Sequence, residues 1–217
     1  SVSAFLLNRS SDLAILYDFF VHDNQLFFCI GDVSGKGVPA ALLMTVTKSL
    51  FRAFSSNESM PDKIVSRMND NLSENNKERM FVTLFVGILD LTSGLLRYCN
   101  GGHEAPVIID KEAHLLPINH IFPVGAVPAT PYKMQETVIE PQTTILLYTD
   151  GLNEALNADK EKFGKERILN EANRAIQAGQ LSPKALIEQL TLSVHQFVGD
   201  TEQSDDLTML AINYLRQ

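Results

Sequence analysis

Short apolar runs and longer apolar runs with helical spacing form separate blocks along the chain. Strand-like runs cover residues 16–21 and 26–30, which flank a polar connection of hairpin length. Two segments with apolar residues three and four apart follow, and they predict helices beginning near Val38 and Pro61. The predicted core positions are Leu42, Leu43, Val46, Leu50, Phe51 and Phe54 in the first helix and Ile64, Val65, Met68 and Leu72 in the second.

The remainder of the chain returns to strands, then helices, then one last strand. Ser182 is a typical helix N-cap and Pro183 suits a first helical position. Because strands and helices come in blocks and do not alternate strictly, the pattern favours an α+β fold over a doubly wound parallel sheet. Strands are predicted over 81–90, 95–100, 106–110, 144–149 and 207–214, helices over 164–178 and 182–197, and a Pro-interrupted loop over 117–132.

Composition narrows the class of protein. The chain has 217 residues, of which 45% are hydrophobic, and a formal net charge of −8. These values fit a globular chain and disfavour a general nucleic-acid binder, so we expect no nucleic-acid partner. The sequence has no repeat and no Pro- or Ser-rich linker, so we expect one domain over residues 1–217. Cys29 and Cys99 lie in apolar runs and lack zinc or redox spacing, which indicates buried thiols in a reducing compartment. No run approaches the roughly 18 apolar residues of a membrane span. We therefore expect a cytoplasmic protein without direct membrane insertion.

Aspartates stand at the ends of three predicted buried strands. Asp32 and Asp150 each follow an apolar run, and Asp205 and Asp206 directly precede one. Carboxylates that converge at one end of a sheet would need cations between them, and hard oxygen ligands select Mg²⁺ or Mn²⁺. The alternative is that each aspartate caps a local turn, which is a common role for this residue.

Several stretches together resemble one protein family. Residues 31–41 (GDVSGKGVPAA) resemble the first metal-binding motif of the bacterial SpoIIE/RsbU branch of PPM-type (protein phosphatase 2C-like) serine/threonine phosphatases. Residues 80–84 (MFVTL), 148–155 (YTDGLNEA) and 203–208 (QSDDLT) match further motifs of that branch in the same order. Residues 100–103 (NGGH) resemble its Ala-Gly-His turn.

The resemblance implies both a fold and an activity. The fold would be a four-layer α-β-β-α sandwich of two mainly antiparallel sheets with helices outside. The activity would be metal-dependent hydrolysis of phosphoserine or phosphothreonine on a signalling protein, with two Mn²⁺ or Mg²⁺ ions activating the attacking water. No covalent phosphoenzyme is expected.

The resemblance also implies roles for individual residues. Asp32 would bridge both metals, the Val33 carbonyl would bind one, and Asp150 and Asp205 would complete the shell of the second. Asp206 ranks below its neighbour as a ligand. We expect the carboxylates of Asp32, Asp150 and Asp205 to lie within about 4–8 Å of one another, as a paired-ion site requires.

Two further residues have competing interpretations. Lys36 could attract a substrate phosphate as a point charge, or it could be a solvated turn lysine. His103 could donate a proton to the leaving group, or it could be a hydrogen-bonded turn histidine. A Walker phosphate loop is excluded because Ile30 and Gly37 occupy two of its required positions. A hydrolase triad through Ser34 is disfavoured because Asp32 stands where the nucleophile elbow needs glycine.

The family implies partners and a cellular setting. The substrate would be a phosphorylated anti-anti-sigma-type regulator, which links the protein to signal transduction and sigma-factor regulation. The chain would be the output domain of a longer protein, with tethering through a sensor domain and homodimer formation left open.

One departure from the family pattern bears on activity. The family carries Gly-Gly-Asp ahead of the Tyr-Asp-Phe-Phe found here at residues 17–20, but Ala14 and Ile15 occupy this region. We expect a loop, absent from this sequence, between Ile15 and Leu16. The alternative is a true deletion that weakens the metal site, and it is the only support for a non-catalytic pseudophosphatase signalling module. A third candidate is an adaptor that binds phosphoproteins without turnover.

Overall fold

The computed structural model describes residues 1–9, 15–74, 76–179, 182–201 and 207–215, without the side chains of Asn8 and Arg9. Its strands are β1 (Val2–Arg9), β2 (Ile15–His22), β3 (Gln25–Val33), β4 (Val82–Asp90), β5 (Leu95–Gly101), β6 (Val107–Ile109), β7 (Ala113–Leu115), β8 (Gln135–Val138), β9 (Thr143–Tyr148) and β10 (Leu207–Tyr214). Its helices are α1 (Gly37–Ser55), α2 (Pro61–Ser73), α3 (Asp150–Asn153), α4 (Gly164–Gln177) and α5 (Pro183–Val198). Within these residues, no helix combines the length and apolar character needed to cross a bilayer.

The chain forms two compact units. The central unit consists of Asp12–His103 and Ile118–Ile139, and the terminal unit consists of Ser1–Ser11, Glu104–Pro117 and Glu140–Gln217. Each unit has one five-stranded sheet in which all neighbouring strands are antiparallel, and helices pack on it. The expected α+β class with two antiparallel sheets and helices is therefore confirmed.

The sheet of the central unit has the order β2-β3-β4-β5-β8. The β2–β3 hairpin turns at Asp23 and Asn24, which both have positive φ, at 46° and 60°. A two-residue turn with positive φ at both positions matches the twist of the flanking strands, and Asp and Asn tolerate that conformation. The predicted hairpin is thus confirmed, and β3 carries the chain directly to Asp32.

Helices α1 and α2 cover one face of this sheet. In α2 the buried side includes Ile64, Val65, Met68 and Leu72, as the spacing predicts. In α1 the prediction is partly wrong, because Leu42 and Val46 are 63% and 49% exposed. The helix packs through Ala40, Leu43, Thr47, Leu50, Phe51 and Phe54. The apolar residues of α1 are spread over more than half of its circumference, so their spacing does not show which side of the helix faces the sheet.

The sheet of the terminal unit has the order β1-β10-β9-β6-β7. Helices α4 and α5 pack on it through a core that includes Ile168, Leu186 and Leu190. The Ser182 hydroxyl accepts a hydrogen bond from the Ala185 N–H at 3.2 Å, so the predicted N-cap is confirmed. The strand β9, which precedes Asp150, is buried along its whole length.

Four elements have no counterpart in the sequence-based assignment. They are β1, β7, β8 and α3, of which β7, β8 and α3 have only three or four residues each. β1 and β8 form through pairing with β10 and β5, which are distant in sequence. The hydrophobic period of such segments is too weak to identify them from sequence alone. They become strands because a partner distant in sequence supplies their hydrogen bonds.

Ile15 and Leu16 are consecutive residues of β2 and pair with Asp32 and Gly31 of β3. Residues 12–14 lie outside the described residues. The loop expected between Ile15 and Leu16 stays a prediction.

Candidate metal centre

Asp32 lies at the end of a strand whose backbone is held tightly. It is the penultimate residue of β3, is half-buried, and pairs with Thr83 of β4. A Cβ on the preceding residue, Gly31, would lie 2.5 Å from the Thr83 carbonyl oxygen. Only glycine fits there, because the two strands approach too closely for any side chain. The position of Asp32 is therefore fixed by packing of the main chain.

The turn after Asp32 is fastened to the start of β4. The Ser34 N–H donates to the Phe81 carbonyl at 2.9 Å, and the Phe81 N–H donates to the Ser34 hydroxyl at 2.8 Å. Gly35 and Gly37 have φ values of 88° and 75°, which favour glycine and lead the chain into α1. Val33, whose carbonyl is the expected metal ligand, is a buried residue of β3.

Lys36 occupies the N-cap position of α1 and is exposed. This location fits both interpretations of Lys36, a solvated turn lysine and a point charge for phosphate.

A hydrogen-bonded chain joins Asp32 to His103 within the central unit. The Asp32 N–H donates to the Thr83 hydroxyl at 3.2 Å, and that hydroxyl lies 2.9 Å from His103 Nδ1. His103 is 7% exposed. The backbone N–H of His103 donates to Asn100 Oδ1 at 3.2 Å, and Asn100 Nδ2 donates to the backbone carbonyl of His103 at 3.1 Å. Thr83 belongs to one of the quoted motifs, but sequence reasoning assigned it no role. The feature that could have revealed a role for Thr83 is its pairing with Asp32 across β3 and β4.

Asp150 lies in the terminal unit, in the first turn of α3, and is half-buried. It follows Thr149, whose hydroxyl accepts the Thr208 N–H at 3.2 Å and whose own N–H donates to the Thr208 carbonyl at 3.0 Å. These two bonds join Thr149, the residue after β9, to β10, and they fix the start of α3 and hence the main chain at Asp150.

Asn153 and Glu104 provide further oxygen atoms in the terminal unit. Asn153 Nδ2 lies 3.4 Å from Glu104 Oε1, and Lys165 Nζ lies 2.8 Å from Glu104 Oε2. The Oδ1 atom of Asn153 is buried and has no hydrogen-bond partner among the described residues. Burial, aided by the charge of Glu104, raises the pKa of the Tyr148 hydroxyl. A buried acceptor three residues after Asp150 fits a site that holds a positively charged group.

Asp205 and Asp206 lie outside the described residues. Among the residues whose placement is described, which do not include these two aspartates, no group of three or more His, Cys, Asp or Glu side chains is arranged to hold a metal ion. The expected donors are carboxylates and one carbonyl, which are the hard oxygen ligands that Mg²⁺ and Mn²⁺ take. The donor chemistry, together with the Asn153 oxygen that has no hydrogen-bond partner among the described residues, fits a divalent ion.

An ion pair between half-exposed Arg52 and buried Asp18 anchors α1 to β2 in the central unit. Arg52 donates from Nε to Asp18 Oδ2 and from a terminal nitrogen to Oδ1 at 2.6 Å. The Asp18 side chain is only 7% exposed, and the Arg52 guanidinium also lies over the Phe20 ring. Hydrogen bonding to Asp18 raises the pKa of Arg52, and burial is the main cause of the raised pKa of the neighbouring Cys29 thiol.

Both cysteines, Cys29 and Cys99, are free and buried, as predicted.

Comparison with known proteins identifies the family. Residues 22–215 match the family model described as Stage II sporulation protein E (SpoIIE). The chain belongs to the SpoIIE family. It is therefore a PP2C-like phosphatase domain, and the resemblance found in the motifs is confirmed.

Two curated relatives and one solved structure are similar to this chain. Protein IcfG of Synechocystis sp. is 30% identical over 90% of the chain and 35% of its own length. The phosphoserine phosphatase RsbU of Bacillus subtilis is 27% identical over 64% of the chain and 42% of its own length. The chain thus spans less than half of either relative. The SiaA PP2C domain of Pseudomonas aeruginosa has a TM-score of 0.82 at 18% identity, with 97% of this chain and 85% of that chain covered.

Proposed function

We propose that this SpoIIE-family chain is a Mn²⁺- or Mg²⁺-dependent serine/threonine protein phosphatase. The observation that carries the proposal is the family match over residues 22–215, which includes Asp32, Asp150 and Asp205. Asp32, the Val33 carbonyl, Asp150 and Asp205 would hold two divalent ions. Bound ions of this kind activate an attacking water and neutralise the phosphoryl oxygens.

The chain's own residues prepare the site in specific ways. The close approach at Gly31 and the hydrogen bonds of Ser34 hold the Asp32 turn against β4. The bonds of Thr149 to Thr208 hold the start of α3 at Asp150. A main chain that is already fixed keeps like-charged carboxylates in place when no ion balances their charge. The protein then needs less reorganisation to bind a divalent ion.

The substrate of the proposed reaction is a phosphoprotein. RsbU is a phosphoserine phosphatase by name. With this similarity as support, we propose that the chain acts in signal transduction and sigma-factor regulation, with a phosphorylated anti-anti-sigma-type regulator as its substrate. The chain would be one domain that serves as the output domain of a longer cytoplasmic protein, with homodimer formation left open.

The experiment is hydrolysis of p-nitrophenyl phosphate and of a phosphoserine peptide with and without Mn²⁺. We expect Mn²⁺-stimulated turnover that Asp150→Asn abolishes, because the amide removes one negative ligand. Asp159→Asn is the matched control, since Asp159 is an exposed loop residue, and it should leave turnover unchanged.

The second candidate is a non-catalytic pseudophosphatase, favoured by the missing Gly-Gly-Asp ahead of Tyr17. Absence of Mn²⁺-stimulated hydrolysis in the wild-type protein, tested in its full-length form, would refute the enzyme and support this candidate.

A further inference from the structure

Nine consecutive apolar residues form a loop in the central unit. Residues 121–129 (IFPVGAVPA), called the apolar loop below, contain no polar or charged side chain. Five of them are exposed, and the two largest of these, Phe122 and Val127, are 59% and 39% exposed. Runs of exposed apolar residues are rare on protein surfaces and mark sites where another molecule binds.

Hydrogen bonds hold the main chain of the apolar loop in place. The N–H of Val124 donates to the Val82 carbonyl at 2.8 Å, and the Val82 N–H donates to the Val124 carbonyl at 2.9 Å. The buried amide of Asn69 accepts the Gly125 N–H and donates to the Val127 carbonyl. Because the main chain is fixed, the exposed side chains need little ordering when another molecule binds to them.

The apolar loop lies in the same row of the sheet as Val33, whose carbonyl is a proposed metal ligand. Val82 of β4 pairs with Val33 on one side and with Val124 on the other. Neighbouring strands are about 4.8 Å apart, so the main chains of Val33 and Val124 are about 10 Å apart. A specific protein–protein interface buries about 800 Å² on each partner, which corresponds to a disc of roughly 16 Å radius. An interface of that size centred on the Val33 carbonyl reaches the apolar loop.

We propose that the apolar loop binds the phosphoprotein substrate, through apolar residues about three to five positions from the phosphoserine. An extended chain advances about 3.3 Å per residue, so about three residues span the distance from Val33 to Val124, and about five reach Phe122 and Val127. Burial of roughly 55 Å² of apolar surface stabilises a complex by about 1.4 kcal/mol, which is tenfold in affinity. The inference rests on the proposed phosphatase function, because that function requires a phosphoserine beside Val33.

The first test measures binding without turnover. Two fluorescein-labelled phosphoserine peptides of equal length are compared, which carry either leucine or serine about three to five residues from the phosphoserine on both sides. Fluorescence polarisation with the Asp150→Asn protein should show about tenfold tighter binding of the leucine peptide. Equal affinities for the two peptides would overturn the proposal.

The second test removes the largest exposed side chain of the apolar loop. Phe122→Ser, combined with Asp150→Asn, should lose most of the preference for the leucine peptide. Val138→Ser is the matched control, because Val138 is 61% exposed and pairs with Leu95, at the end of the same sheet away from Val82. This control should keep the preference. A preference that persists in the Phe122→Ser protein would show that the apolar loop does not bind the peptide.

The outcomes separate this inference from the proposed function. A wild-type protein that hydrolyses p-nitrophenyl phosphate with Mn²⁺ but has equal kcat/KM on the two peptides would support the phosphatase and overturn the inference. Selective binding of the leucine peptide by a protein whose wild type hydrolyses no phosphate ester would support the apolar loop as a binding surface and refute the phosphatase. A wild-type dimer that Phe122→Ser dissociates, with the peptide preference retained, would assign the apolar loop to a second copy of the chain and overturn the proposal.

Discussion

At the scale of single residues, Gly31 is the position with least tolerance for change near the candidate site. A methyl group there would collide with the Thr83 carbonyl oxygen, at 2.5 Å from the new Cβ. Gly31→Ala should lower stability by about 1–3 kcal/mol, the range for overpacked interiors. It should also weaken Mn²⁺ binding, because β3 must move at Asp32 to relieve the contact.

Gly87→Ala is the matched control for this prediction. Gly87 also lies in the central sheet, and the Phe28 ring occupies the space that its Cβ would need. Both variants should unfold at lower denaturant concentration, but calorimetric titration should show weakened Mn²⁺ binding only in Gly31→Ala. Equal Mn²⁺ affinities in the two variants would show that the close contact at Gly31 does not position Asp32.

The buried Cys99 thiol should lower the free energy of unfolding at alkaline pH. Burial, and secondarily the charge of Asp62, raises the pKa of Cys99 from 9.0 to about 12. A group with a raised folded-state pKa contributes fully below its unfolded pKa, and this contribution is lost as the pH rises toward the folded value. The free energy of unfolding should therefore decrease between pH 9 and pH 11, at up to about 1.4 kcal/mol per pH unit from this group.

Denaturant unfolding at pH 8, 9, 10 and 11 measures this effect. Cys99→Ala should show a smaller decrease than the wild type across the same interval, because the variant has no thiol to ionise. The same pH dependence in both proteins would contradict the burial of Cys99.

At the scale of elements, one asparagine connects α2 to the loop at residues 118–134. Asn69 is 1% exposed, accepts from the Gly125 N–H at 2.8 Å and from the Tyr132 hydroxyl at 3.3 Å, and donates to the Val127 carbonyl at 3.1 Å. Asn69→Ala should cost about 2–3 kcal/mol of stability, because it leaves buried partners unsatisfied. Hydrogen exchange of the Gly125 amide should become faster.

Asn71 provides a control on the same helix. It is exposed, and its side chain donates to the Arg67 carbonyl within α2. Asn71→Ala should stay within about 0.5 kcal/mol of the wild type and leave Gly125 exchange unchanged. If Asn69→Ala behaved in the same way, the loop would not depend on this amide.

The sequence was most informative for elements with a clear period and local signals. The β2–β3 hairpin, the buried side of α2 and the Ser182 cap follow from spacing and turn chemistry. The exposed Leu42 shows where periodicity fails, because apolar residues on several sides of α1 leave its orientation to the rest of the unit.

For the candidate site, the aspartates could be predicted from the sequence, but the residues that hold them in place could not. Asp32 and Asp150 were predicted at strand ends. Asp32 lies at the end of β3, and Asp150 begins α3 two residues after the end of β9. The bonds that fix them come from Thr83 and Thr208, which are distant in sequence. No local pattern marks such partners, since strand register alone brings them into contact.

At the scale of the whole molecule, the central proposal is that Asp32, Asp150 and Asp205 together hold divalent ions. The most direct measurement is a crystal structure of the protein grown with Mn²⁺, with the ions located by anomalous scattering. We predict two Mn²⁺ ions bridged by Asp32, with Asp150 and Asp205 bound to one of them. Well-ordered aspartates that lie far apart, with no Mn²⁺ ion shared between them, would contradict it.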